Sequence, residues 1–565
     1  MKRIVFMMVC LQIVLSINSQ TVLLEKTYQI PGKADVGDVA FINYNQSTGE
    51  SVVYFTLPEK SKTINVESYY FDKNFDFIKK ESAVNDLETT AKVFPWFNYQ
   101  GDEYDVQRTV IKEDDNLVLI KQKIIYTYEW KKMKYSSKTK VLDDIKFKDK
   151  GDEKLIHLRN WISEEDQGNS YVLCYRKPKG DKSPLTSMHL LKINNSTDQL
   201  EKDLEIKFNC PQEIAFPKFN DSKTEGRGWE LNGDIILVTA PSNDEIKNPG
   251  MKSNEYTYIR IAPDLTVKDR INFSSPSSFW SIEDAVTDEK TNSVFIFGAS
   301  LLSSNKYYNQ LSDTKKFDGF QIMKISEGKI FFLKSISGDE ISNKVVMAPS
   351  QKKVTEYQGK KFFISGYILT EEGILVVTGQ SWFTDVVGTL SNINNGAIGS
   401  SARKITYSDC FTFGFDNQGN IIGEYLYDTK GFMGGNNLSA YQYLFKGKDP
   451  KNVYWFVFQP VYWNWDLTTS VYNYRPVKQP PLSGIKFGIT KFKCDITSSG
   501  LGKIDLKSNS LSDFANYQLD KESKKFYYLC PGLPFLITDD NQLLLFGSQS
   551  KSGGKTIWFL KLSLD

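Results

Sequence analysis

Histidine is nearly absent from this chain of 565 residues, with only His157 and His189 present. Two histidines exclude a histidine-rich metal cage and leave a Ser-His-Asp triad almost nothing to draw on. No CxxC pair, G-x-S-x-G elbow, G-x-x-x-x-G-K-[ST] phosphate loop or calcium-loop spacing occurs. Nucleotide-binding and metal-hydrolase readings therefore lose their support, and neither a cofactor nor a metal is expected. Charge of one sign is also missing, since 70 Lys and Arg stand against 68 Asp and Glu. Without a net field, nucleic acid is not an expected partner. No amphipathic helical stretch of useful length appears, and no apolar run reaches the roughly 20 residues that span a bilayer.

The longest apolar run opens the chain. Met1-Lys2-Arg3 is followed by a largely apolar stretch from Ile4 to Ile17 and then by Asn18-Ser19-Gln20. A basic start, a short apolar segment and a small residue before a polar one form a secretory signal, with cleavage expected after Ser19. Residues 1–19 are thus read as a signal peptide and 20–565 as the folded region of an exported protein. Its destination is periplasmic, cell-surface or secreted, and the short signal with its Ser-Gln junction reads as bacterial. The remaining cysteines, Cys174, Cys210, Cys410, Cys494 and Cys530, are odd in number and widely spaced. They define no disulfide framework and read as scattered core residues.

Aromatic residues make up 14% of the chain, and with many Val, Ile and Thr they favour strands. A polar turn followed by a strongly apolar run recurs eight times: Val52–Phe55, Leu117–Ile120, Tyr171–Cys174, Ile235–Val238, Val294–Phe297, Ile374–Val377, Val453–Phe456 and Leu543–Phe546. Runs of this length bounded by turns read as strands buried on both faces, and their recurrence marks a repeated unit. A shorter strand and tight turn precede most runs, as in Tyr367–Thr370 with Glu371-Glu372-Gly373. A hairpin with alternating apolar residues follows, as in Phe320–Ile325 turning at Ser326-Glu327-Gly328. Four antiparallel strands per unit make propeller blades.

The last unit stops after its third strand, Ile557–Leu562, and Thr21–Ile30 reads as the missing fourth. The mature chain resembles β-propeller proteins in general, though no repeated Trp-Asp, kelch-type Gly-Gly or Asp-box pattern assigns it to a family among them. The resemblance implies a single all-β propeller of eight four-stranded blades. The charged segment from Tyr126 to Lys148 leaves seven blades as an alternative, and two packed sandwich domains are a further one.

The connections between second and third strands read as long, at Gly298–Phe317, Phe383–Asp409 and Gln459–Lys486, and strand alternation puts them at one end. Long loops on a rigid scaffold are where binding groups collect. The last of them carries Tyr462, Trp463, Trp465, Asp466, Tyr472, Tyr474 and Arg475; Trp382 and Trp96 are candidates to join it. Aromatic faces with a few polar tips suit a sugar or a peptide. The expectation is a non-catalytic module that binds a partner protein or a glycan there. The alternative is a carbohydrate-active hydrolase or lyase using paired carboxylates among Asp385, Asp409 and Asp466.

Overall fold

The computed structural model describes residues 20–564 apart from 32–37, 59–62, 87–104, 114–115, 130–133, 148–152, 163–167, 179–185, 195, 198, 217–229, 243–254, 278, 303–317, 352–353, 355, 358–361, 388–401, 430–439, 464, 467–470, 473–485, 488–489, 492, 520–525, 530–534 and 549–555. Within 105–162, 382–406 and 459–498 it describes backbone only.

The fold is all-β and propeller-like. Among the described residues, eight sheets of three or more strands follow one another along the chain, antiparallel throughout save for Val345–Met347, which pairs parallel with Ile421–Tyr427 in the sixth. The first is typical: Asp38–Tyr44, Ser51–Pro58, Thr63–Phe71 and Phe77–Asp86 pair in sequence order. The charged segment that left a seven-unit count open forms Lys134–Phe147, which pairs with Asn116–Glu129 in the second sheet. The only helix among the described residues is α1 (Gly338–Ser342), between the fifth and sixth sheets.

Every apolar run falls on the second strand of its sheet, and residue alternation explains why it is continuous. In Ser293–Leu301, Val294 and Ile296 pack with the fourth sheet, whereas Phe295 and Phe297 pack with the sixth. In Gln542–Ser548, Leu543 and Leu545 join a core with the seventh sheet while Leu544 and Phe546 join one with the first. The fourth to eighth sheets all share a core with the sheet on either side. Sandwich domains would bury only one face of each sheet.

The eighth sheet takes its outermost strand from the other end of the chain. Thr21–Gln29 pairs antiparallel with Thr556–Ser563 from Thr21↔Ser563 to Gln29↔Thr556. The Trp558 indole N–H donates to Glu25 Oε1 at 2.7 Å, and Lys26 pairs with Asp76 of the first sheet. Phe75 takes a left-handed φ of 57° while stacked on Phe559 at 4.6 Å. That conformation costs a bulky residue energy, and packing at the seam between first and last sheets offsets it.

Connections between first and second strands, and between third and fourth, are tight. Glu327-Gly328 turns in two residues with φ of 50° and 69°, the geometry that selects glycine. In five sheets, a side-chain oxygen at the third-to-fourth turn (Asp72, Asn194, Asp264, Asp416, Asp505) accepts from the backbone N–H two residues on. Asp72, Asp264, Asp416 and Asp505 are therefore turn-formers.

Asp234, at the start of a second strand, is buried and accepts from Arg260 Nε at 2.6 Å and Lys268 Nζ at 2.7 Å. Arg260 also donates to Asn292 Oδ1 of the fifth sheet at 2.9 Å. Removing one member of such a network strands the others. Asp234→Ala is expected to cost about 3 kcal/mol, read as a lowered urea midpoint with an unchanged m-value. Deleting residues 21–30 would expose the edge of Thr556–Ser563 and is expected to lower Tm by at least about 5 °C. A melting curve matching wild type would show that the terminal pairing contributes nothing.

Candidate binding face

Strand alternation sends the tight connections to one end of the sheets and the second-to-third connections to the other. At that second end the expected loops are corrected in the sixth and seventh sheets. Leu375–Val387 and Ala402–Phe415 stay paired out to Val387↔Ala402, and Asn452–Trp463 and Lys493–Asp505 out to Trp463↔Lys493. Each expected loop, 383–409 and 459–486, thus starts as paired strand continuing the blade, while 388–401, 464, 467–470 and 473–485 lie outside the described residues. Their residues explain it: Trp382-Phe383-Thr384, Ile405-Thr406-Tyr407 and Val461-Tyr462-Trp463 are β-formers. Register shifts at Gln380/Trp382 and Gln459/Pro460 mark where each ribbon leaves its sheet. A bulge there bends the ribbon and accommodates Pro460, which has no N–H for the ladder. In the fifth sheet the start of the expected loop is likewise paired, out to Ser300↔Gly319, and Leu302 N–H then donates to Asp318 Oδ1 at 2.6 Å; residues 303–317 lie outside the described residues.

On the seventh-sheet ribbon, Tyr462 stands opposite Cys494 and Trp463 opposite Lys493. A short hairpin follows, with Trp465 opposite Tyr472 and Asp466 opposite Val471. Trp382 lies on the sixth-sheet ribbon, opposite Tyr407. Tyr474, Arg475 and Trp96 lie outside the described residues. The backbone therefore puts Tyr462 and Trp463 at the end of one ribbon strand, Trp465, Asp466 and Tyr472 on a separate two-stranded sheet, and Trp382 on the ribbon of the preceding sheet.

The three candidate acids fare differently. Asp409 accepts from the Thr429 backbone N–H at 3.0 Å and its hydroxyl at 2.8 Å, which anchors the chain after Ile421–Tyr427. Asp385 stands opposite Lys404 on one ribbon and Asp466 on the hairpin of another sheet. Among the described residues, no three His, Cys, Asp or Glu side chains meet as a metal site.

The carboxyl most altered by its surroundings lies elsewhere. Glu424, on Ile421–Tyr427, is wholly buried; its Oε1 accepts from Tyr357 N–H at 2.6 Å, and its Oε2 has no hydrogen-bond partner among the described residues. Burial pushes its pKa up to about 8, opposed by the Tyr357 hydrogen bond and aided by Glu356. Tyr357 is packed against Phe362, Phe411 and Phe413, and its hydroxyl is also unpartnered. Burial, with Glu283 and Glu424 nearby, holds that phenol far above its ordinary range. Gly298 makes room for the Glu283 segment, since a Cβ there would lie 1.9 Å from Ser281 O. The sequence offers no sign of this cluster, because Glu424 sits in an ordinary alternating strand.

No family model matches this chain, and no curated protein does. Solved structures similar to it include the WD40 domain of SCAP from fission yeast, at 7% identity and a TM-score of 0.25, covering 95% of this chain and 98% of that one. Cobalt-substituted Synechocystis ACO is similar at 10% identity and a TM-score of 0.26, covering 88% and 94%. A GH43 β-1,3-galactosidase with galactodeoxynojirimycin is similar at 9% identity and a TM-score of 0.24, covering 58% and 96%. Likeness at this level bears on neither ligand nor reaction.

Glu424 generates a pH prediction. Its ordinary value is 4.5, so between that and about 8 the native protein holds a proton that the unfolded chain has released. The stability it contributes is complete below about 4.5 and is lost as pH rises through about 8. Wild type is expected to lose on the order of 2 kcal/mol or more relative to Glu424→Gln between about pH 5 and pH 9. Urea midpoints of both proteins at the two pH values check this; parallel shifts would show that the carboxyl does not titrate as described.

Proposed function

We propose that residues 1–19 direct export and are removed, and that 20–565 form one eight-bladed propeller closed by Thr21–Gln29. The protein binds a partner protein or a glycan through the end bearing the second-to-third connections, and it does so without catalysis. Six successive shared cores and the antiparallel pairing of the terminal strands support the ring. The observation that carries the binding reading is the seventh-sheet ribbon, where Tyr462 and Trp463 lie on paired strand continuing out of the blade, with Trp465 and Tyr472 paired to each other just beyond it in sequence. Paired strands present aromatic rings at low entropic cost, which suits flat sugar faces and peptide side chains. Tyr474, Arg475, Trp382 and Trp96 complete the proposed surface.

The hydrolase alternative is weakened by Asp409, whose Oδ1 is taken up in structural hydrogen bonds. Binding is tested on a glycan array and by affinity capture from the native host, comparing wild type with Trp463→Ala/Trp465→Ala. The double variant is expected to lose at least tenfold in affinity, about 1.4 kcal/mol, with its melting temperature preserved. Equal capture by both proteins would remove the ribbon as the binding surface.

A further inference from the structure

The strand that closes the eighth sheet begins one residue after a glutamine that the fold encloses. Gln20 directly precedes Thr21–Gln29 and is only 7% exposed. The ends of domains usually fray, yet this one is sealed. Across the strand pair Thr21 stands opposite Ser563, and Leu564 beyond it is fully buried. The two ends of the Gln20 amide meet unlike surroundings. Its Oε1 accepts from the Tyr517 hydroxyl at 3.0 Å, whereas its Nε2 is buried with no hydrogen-bond partner among the described residues. Tyr517 packs against the core shared by the seventh and eighth sheets. Burial pushes its phenol up to about 12, so the hydroxyl remains a donor at neutral pH. An amide nitrogen buried without an acceptor is costly, while the oxygen beside it is in use.

We propose that Gln20 of the mature protein is a modification site, cyclised to pyroglutamate; this rests on the reading that the signal is removed after Ser19. Cleavage there frees the α-amine of Gln20, and cyclisation follows while the strand is still undocked and the amine open to solvent. In its neutral form the amine attacks the side-chain carbonyl carbon of the same residue, Cδ. The N–Cδ bond forms, the Cδ–Nε2 bond breaks, and Nε2 leaves as ammonia with its two hydrogens and one from the amine. No oxidant, metal or second substrate enters, and both reacting groups belong to one residue, which makes closure intramolecular. The product fits the site atom for atom. The nitrogen that departs is the one without a partner, and the lactam oxygen is Oε1, the atom that Tyr517 holds. The ring nitrogen is also uncharged. A free α-amine, with an ordinary pKa of about 8, would carry a positive charge into a nearly buried position. The lactam thus caps the closing strand as a neutral group.

The full precursor is expressed in an exporting bacterial host, and the purified mature protein is digested with trypsin and mapped by mass spectrometry. A labelled synthetic peptide of residues 20–26 with an open Gln20, carried through the same steps, controls for closure during handling. The N-terminal peptide is expected to end at Lys26 and to be lighter than its unmodified mass by one ammonia. Pyroglutamyl aminopeptidase should remove the blocked residue from the unfolded protein and not from the native one. Gln20→Ala, which keeps a free α-amine, and Tyr517→Phe should each lower the melting temperature, and the double variant should fall no further than Gln20→Ala. A peptide that starts at Gln20 and retains its ammonia would overturn the lactam and leave the export reading standing. An N-terminus at any other residue would overturn cleavage after Ser19 and the lactam with it. Equal release by the aminopeptidase from native and unfolded protein would overturn the docked placement.

Discussion

The rest of the structure depends on second strands that are buried on both faces. A strand with one solvated face alternates polar and apolar residues; one pressed between two neighbouring sheets does not. Val294-Phe295-Ile296-Phe297 sends successive side chains to opposite neighbours, and Leu543-Leu544-Leu545-Phe546 does the same at the junction of chain ends. Each such strand joins two cores. A sheet in this series therefore cannot be stable alone, and stacking adds core in proportion to length instead of saturating as in a compact single-core domain.

That constraint also explains what happens at the ends of the sheets. The tight-turn end is held by local chemistry repeated along the chain: an Asp or Asn oxygen capping a third-to-fourth turn, and Asp234 with Arg260 and Lys268. The opposite end varies from sheet to sheet, with Asp318 on Leu302 N–H and Asp409 on Thr429 N–H as its described clamps. Ribbons of the sixth and seventh sheets continue the very strands that are clamped below, so their bases inherit the rigidity of the double-faced core. A surface for ligands positioned by such bases loses less conformational freedom on binding than a free loop of the same residues.

The second strands were legible because burial on both faces leaves a local mark, four or five consecutive apolar residues between turns. The terminal pairing was legible for a related reason: a unit lacking its fourth strand stands at one end, and an unpaired strand at the other. The ribbons were misread. Gly, Asn and Ser between 391 and 401 and the prolines after Arg475 suggested loops beginning as early as Phe383 and Gln459, whereas Trp382–Val387 and Val461–Trp463 keep the ladder going. Composition marks where pairing becomes difficult, not where it stops. Of the candidate site, the sequence offers only that Tyr462, Trp463, Trp465 and Tyr472 stand close together along the chain.

Glu424 was not legible, and the reason is physical. Glu424 becomes exceptional only because Tyr357, some 67 positions away, donates its N–H to a carboxyl inside an aromatic core. Sequence spacing encodes a period of two within a strand, but a bulge resets that period without any sign in composition. Chemistry assembled across strands therefore depends on register, and register is set by the packing of whole sheets. The same double-faced burial that makes the second strands readable thus also fixes which distant side chains meet.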